Sequence, residues 1–193
     1  MASQLQILAG TVVDDASTGD VAWSNPDNAK VSDNVYAVAV LGIVAPFTSH
    51  WLKATDFGFS IPNDAIITGI VVGCEAKVNV AGWILDYVRI VKGGIIKTSN
   101  KTLATYTPTE SYKSTGSSSD LWGETWTPAE INASDFGVAI STYGGVIEYT
   151  ISIDHIQMTV YYTENRLTAT GRITSPSRLT AIGRLVASNR LTT

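Results

Sequence analysis

The chain has 193 residues, 45% hydrophobic and 16% charged, with 16 glycines and a single cysteine, Cys74. It is too apolar for a disordered chain and long enough for one core plus an appendage, and one cysteine excludes an intrachain disulfide or a thiolate metal cluster. The net charge of −4 conceals an asymmetry: residues 166–193 hold five arginines and no acid, leaving 8 basic against 17 acidic groups in the acidic body before them.

The N-terminal MASQLQILAG lacks a basic region followed by an apolar run, so no signal peptide is expected. Leu5, Ile7, Val12 and Val13 mark a first strand. Asn25-Pro26 predicts an extended residue before a turn, and Asp33-Asn34 a second turn closed by side chain to backbone bonds. The apolar run Tyr36 to Phe47 is broken by Gly42 and Pro46, short of the roughly 20 residues of a membrane helix. A soluble protein made in a cytoplasm, with no membrane partner, is expected.

Ile61-Pro62-Asn63-Asp64 ends one strand and turns the chain into a long one, Ile66 to Val80, with Gly69 and Gly73 as bends or bulges. Val88 and Ile90 alternate with Tyr87 and Arg89 before Gly93-Gly94 and Ile95-Ile96, which predicts a hairpin. Ser111 to Asp120 reads as a polar loop or mobile insert, and Thr127-Pro128-Ala129-Glu130 as one capped helical turn. Phe136 to Thr142, Val146 to Ile153 and Ile156 to Tyr162 are further strands. The last two differ in phase, apolar at odd positions and then at even ones, so a β-bulge at Asp154-His155 is needed to keep both facing the core. Strands at this spacing with Gly and Pro turns indicate an all-β sandwich or barrel, and an antiparallel, jelly-roll-like sandwich over residues 1–164 is expected.

Catalytic chemistry has little support. Two histidines, His50 and His155, and the absence of GxSxG, HExxH and CxxC leave no catalytic residue, metal site or cofactor to assign, so no enzyme is expected. Asp14-Asp15 and the pair Asp86 with Glu75 read as solvated carboxylates, and His155 as a bulge residue. Of the five tryptophans, Trp122 and Trp126 flank the capped turn as anchors. Burial is the ordinary fate of the others, but an indole can stack on a sugar, which makes Trp51 and Trp83 candidate glycan contacts.

Residues 165–193 form a separate unit, a hexapeptide repeat reading RLTATG, RITSPS, RLTAIG, RLVASN, RLTT. In an extended strand Arg166, Arg172, Arg178, Arg184 and Arg190 share one face, with Leu167, Ile173, Leu179 and Leu185 on the other. Such a ribbon has too little apolar surface for its own core, so the expected role is assembly, the arm lying on other copies or a neighbouring lattice. No aromatic residue interleaves the arginines, so nucleic acid is not expected as the partner.

Three groups of segments carry a resemblance. They are Trp23-Ser24-Asn25-Pro26 with Asp33-Asn34-Val35-Tyr36-Ala37, Phe57-Gly58-Phe59-Ser60-Ile61-Pro62 with Ala65 to Ile70, and Trp122-Gly123 through Trp126-Thr127-Pro128 to Val138. Together they resemble a jelly-roll-like β-sandwich module of tailed-bacteriophage and prophage structural proteins. The resemblance implies a non-enzymatic virion component such as a capsid decoration protein, a head fibre or a tail-associated protein, and it transfers no site residue. Virion analogy suggests a homotrimer seated on a capsid or tail lattice. The alternative is a carbohydrate-binding module for host attachment.

Overall fold

The structure, a computed structural model, describes residues 2–42, 47–144 and 147–164, without the side chains of Trp83 and Ile84. Eleven strands and one short helix lie in these residues: β1 (Ala2–Leu8), β2 (Thr11–Asp15), β3 (Ala37–Leu41), β4 (Trp51–Thr55), β5 (Ile66–Val78), β6 (Trp83–Lys92), β7 (Ile95–Ile96), β8 (Lys101–Tyr106), β9 (Ser111–Ser117), α1 (Pro128–Asn132), β10 (Gly137–Ser141) and β11 (Tyr149–Thr163). They pair into two antiparallel sheets, the predicted sandwich. The first runs β1-β11-β5-β9 with β3 also on β11, and the second runs β2-β4-β10-β6-β7 with β8 also on β6.

Alternation along each strand divides the side chains between the core and the outside. From the first sheet Ile70, Val72, Cys74, Ile151, Ile153, Ile156, Met158 and Val160 point inward, and from the second Val12, Leu52, Leu85, Val88, Ile90, Val138 and Ile140 meet them. Each is buried, a gain of roughly 1.5–3 kcal/mol per large apolar side chain.

The phase change is resolved as expected, within one continuous strand rather than two. β11 pairs Ile153 with Ala76 and then His155 with Glu75, so Asp154 is the extra residue, and both halves keep their apolar side chains inward. A second irregularity falls beside Gly69, between Tyr161 and Tyr162. Gly73 is no bend: the ring of Tyr112 lies over it, in the space a Cβ would occupy. The Gly93-Gly94 hairpin is present, both glycines with positive φ (58° and 75°), as a tight two-residue turn requires. At α1 the capping box is complete, with Thr127 accepting from the Glu130 N–H and the Glu130 carboxylate accepting from the Thr127 N–H.

Four further expectations are corrected. The first strand is two, because Ala9-Gly10 carries the chain from one sheet to the other. Ser111 to Ser117 is no loop but an edge strand hydrogen-bonded along β5 from Ala76 to Ile70. Asn25 is left-handed (φ 53°, ψ 52°) rather than extended, because the chain leaves the Ser24–Val38 bridge and reverses at once into a 3₁₀ turn; asparagine tolerates this conformation better than most residues. Ile61 ends no strand, although the turn after it forms, the Ala65 N–H donating to the Pro62 carbonyl. The Asp33 turn forms as expected, its carboxylate accepting from the Val35 N–H at 3.0 Å.

Candidate functional site

On the second sheet, the outward positions mix charged and polar side chains with apolar and aromatic ones. Val13, Lys53, Ala139 and Arg89 form one row across β2, β4, β10 and β6. In the next row Asp15 pairs with Trp51, and Ser141 with Tyr87. Trp51, Val91 and Ala139 make a buried apolar cluster separate from the core, with Tyr87 and Ile96 packed against it. The rings of Trp51 and Tyr87 meet edge to face at 6.3 Å and 75°.

Arg89 lies across both rings, its guanidinium carbon 5.2 Å from the centre of Trp51 and 5.8 Å from that of Tyr87. Its Nε donates to the Asn100 side-chain oxygen at 3.3 Å, and the Asn100 amide is anchored on the Asp86 carbonyl at 3.0 Å. Among the described residues Arg89 has no carboxylate partner, and the Trp51 indole N–H donates to nothing. The neighbouring lysine is committed: Lys53 bonds the Gly94 carbonyl at 2.9 Å and the Asp15 carboxylate at 3.4 Å. Hydrogen bonding from Ser17, then the charge of Lys53, holds the Asp15 carboxyl below its ordinary range.

Trp51 therefore belongs to an outward cluster, but at 6% exposure it is a supporting wall, and Tyr87 is the more open ring. Trp83 lies in β6 opposite Tyr106, and its side chain is outside the described residues. Arg166, Leu167, Arg172, Ile173, Arg178, Leu179, Arg184, Leu185 and Arg190, with the whole arm, also lie outside them. The other tryptophans are anchors: Trp23, Trp122 and Trp126 each donate the indole N–H to a backbone carbonyl, of His50, Ile70 and Leu121. Sequence reasoning placed Tyr87 and Arg89 on the polar phase of a hairpin strand without assigning them a role. The available signal was that Arg89 is the one arginine before residue 166.

The paired acids are not solvated pairs. Asp14 accepts from the Trp23 N–H and meets His50 Nδ1 at 2.8 Å, and Asp86 accepts from the Tyr143 N–H at 2.9 Å and the Thr142 hydroxyl at 3.2 Å. Glu75 is on the other sheet, beside His155. His155 Nδ1 lies 3.3 Å from Glu75 Oε2 and 3.2 Å from Asp154 Oδ2, and Asp154 is buried. Both imidazoles thus face carboxylates. Cys74 is fully buried in the core, and desolvation pushes its thiol up to about 12, which removes it as a nucleophile at neutral pH. Among the described residues, no helix is long and apolar enough to cross a membrane.

These features define an antiparallel β-sandwich with an aromatic and cationic outer face. No family model and no curated protein matches the chain. Solved structures do. The family 30 carbohydrate-binding module of the cellulosomal cellulase Cel9D-Cel44B of Clostridium thermocellum is 11% identical, with 86% of this chain and 99% of that chain covered and a TM-score of 0.41. A structure described as BiXyn10A CBM1 is 8% identical, with 82% and 92% covered and a TM-score of 0.42. One described as CBM4 structure and function is 11% identical, with 76% and 92% covered and a TM-score of 0.38. At these identities and scores no residue or ligand is assigned from them.

Proposed function

We propose that the protein is a non-enzymatic carbohydrate-recognition module whose ligand lies on the outer face of the second sheet, at Tyr87, Arg89 and Trp51. One observation carries the reading: Arg89 sits across two aromatic rings, without a carboxylate partner among the described residues, on a face fixed by four paired strands. A sugar offers C–H groups on one side, which pack on an aromatic ring, and hydroxyls at its rim, which need donors and acceptors. Tyr87 supplies the ring, while Arg89, Asn100 and the free Trp51 N–H supply polar groups already oriented by the sheet. Preorganisation of this kind lowers the ordering cost of binding. A glycan array probed with the full chain tests the reading. Binding to a defined set of glycans, lost in Tyr87→Ala, is the expected result; silence across the array overturns it.

A second reading rests on the hexad repeat: a virion structural component, decorating a capsid or tail, whose arm joins copies of the chain or grips the particle. The acidic body and the basic arm have the complementary charge such packing uses. Truncation before Arg166, followed by mass measurement in solution, tests it. The full chain should form an oligomer, a trimer on this reading, and the truncated chain should be a monomer. Equal masses overturn the role of the arm. A host-attachment module carried on a virion satisfies both readings.

A further inference from the structure

The outer face of the first sheet carries a cluster unrelated to the aromatic face. Because Asp154 is the extra residue of the β11 bulge, Asp154 and His155 both stand beside Glu75 of β5. One ligand atom from each of the three falls within 4.8 Å of the other two. We propose that Glu75, Asp154 and His155 form a binding site for a first-row divalent cation, with Zn²⁺ the best-fitting ion.

The distances are those an ion would use. A tetrahedral centre with bonds of about 2.0–2.2 Å sets its ligand atoms about 3.3–3.6 Å apart. His155 Nδ1 stands 3.3 Å from Glu75 Oε2 and 3.2 Å from Asp154 Oδ2, close to two edges of such a tetrahedron. A ring nitrogen bears at most one hydrogen, which cannot be directed well at two carboxylates, whereas a cation serves all three atoms at once.

The ligands are held from behind. Asp154 Oδ1 accepts from the N–H groups of Asp33 and Asn34 at 3.2 and 2.6 Å, which fixes the carboxylate and leaves Oδ2 facing the imidazole. Tyr112 stacks on the His155 ring with centroids 6.2 Å apart and planes 19° from parallel, in the room that Gly73 leaves open. Such outer contacts orient ligands in metal sites. Lys77 places its ammonium over the Tyr36 ring at 3.9 Å and feels the charge of Asp154, but among the described residues it makes no ion pair with either carboxylate. Glu75, with 30% of its side chain exposed, leaves a way in from solvent and a fourth position for water. One imidazole and two carboxylates suit Zn²⁺ better than Ca²⁺, which takes six to eight oxygens.

The test uses the full chain, without an affinity tag and stripped with a chelator, titrated calorimetrically with Zn²⁺ and separately with Ca²⁺. One Zn²⁺ per chain, a raised Tm and no response to Ca²⁺ are expected, and Co²⁺ in the same site should show the intense visible bands of a four-coordinate ion. Glu75→Gln, at the exposed rim, should weaken Zn²⁺ binding by more than the roughly 10–100-fold typical of outer-shell changes. Absence of stoichiometric binding overturns the proposal, as does affinity undiminished in both Glu75→Gln and His155→Asn. Should either variant misfold, the wild-type stoichiometry and Co²⁺ spectrum decide: substoichiometric uptake or a weak six-coordinate spectrum overturns it.

Discussion

The two outer faces of the sandwich depart from a plain solvated surface in opposite ways. On the second sheet a cation is laid over aromatic rings, with Arg89 across Trp51 and Tyr87. On the first, two carboxylates converge on one imidazole, Glu75 and Asp154 on His155. The former follows the unshifted ladders of β2, β4, β10 and β6, although β6 itself shifts register against β8 between Leu85 and Val88; the latter exists because β11 takes one extra residue, Asp154, against β5. A regular ladder makes a broad flat surface, suited to an extended ligand. A bulge brings two consecutive side chains beside one neighbour, suited to a small one.

Deleting Asp154 breaks that difference at its origin and should have the largest effect. Without the extra residue, Ile153, His155 and Ile156 alternate regularly opposite Ala76, Glu75 and Cys74, so the apolar side chains stay inward, but the Asp33 and Asn34 N–H groups lose their acceptor and the cation site loses a ligand. The expected outcome is a folded protein destabilised by about 2–4 kcal/mol, measured by chemical denaturation, that no longer binds Zn²⁺. Undiminished stability would mean that the bonds of Asp33 and Asn34 to Asp154 contribute nothing, and undiminished Zn²⁺ binding would remove Asp154 from the cation site. Gly73→Ala is the milder intervention on the same face. Its Cβ would displace the Tyr112 ring, at about 1–3 kcal/mol, without touching the opposite sheet. Chemical denaturation measures the cost, and glycan binding should be unchanged. Arg89→Ala is the converse. It should weaken glycan binding about tenfold, or about 1.4 kcal/mol, while stability stays within about 0.5 kcal/mol. Equal binding by the variant would remove Arg89 from the site.

Much of the framework was legible because burial on one side imposes a period of two. β5, the β6–β7 hairpin and the bulge at Asp154 were read from where Val, Ile and Tyr fall, and the capping box from Thr127 and Glu130. β9 was not, because an edge strand of Ser, Thr, Lys and Gly satisfies its backbone on β5 without an apolar face, so hydrophobic periodicity is silent there. The separation of β1 from β2 depends on which sheet each joins, which no local pattern encodes. The two outer clusters were invisible for a related reason. Trp51 was read as a candidate glycan contact, but its union with Arg89, like that of Glu75 with His155, is made only by strand register, and residue types alone suggested a hairpin strand, a solvated acid and a bulge residue for the others.

Thr127→Ala should have the smallest effect, and it sharpens the comparison because the capping box belongs to neither face. The Thr127 hydroxyl accepts from the Glu130 N–H at 3.3 Å and donates to the Glu130 carboxylate at 2.9 Å, so its loss should cost about 1 kcal/mol. The Glu130 carboxyl is held below its ordinary value, first by the backbone N–H of Thr127 and then by the hydroxyl. A depressed carboxyl stabilises the fold above its unfolded pKa, and that contribution is lost as pH falls through the folded value. The gap between wild type and Thr127→Ala should therefore be widest near neutral pH. It should narrow toward pH 3 without closing, because the hydroxyl still caps the Glu130 N–H when the carboxyl is protonated. Denaturant melts at the two pH values measure it. A gap that stays constant into acid would mean that the bond to the carboxylate contributes nothing, and any change in glycan or Zn²⁺ binding would mean that the helix is coupled to a face it does not touch.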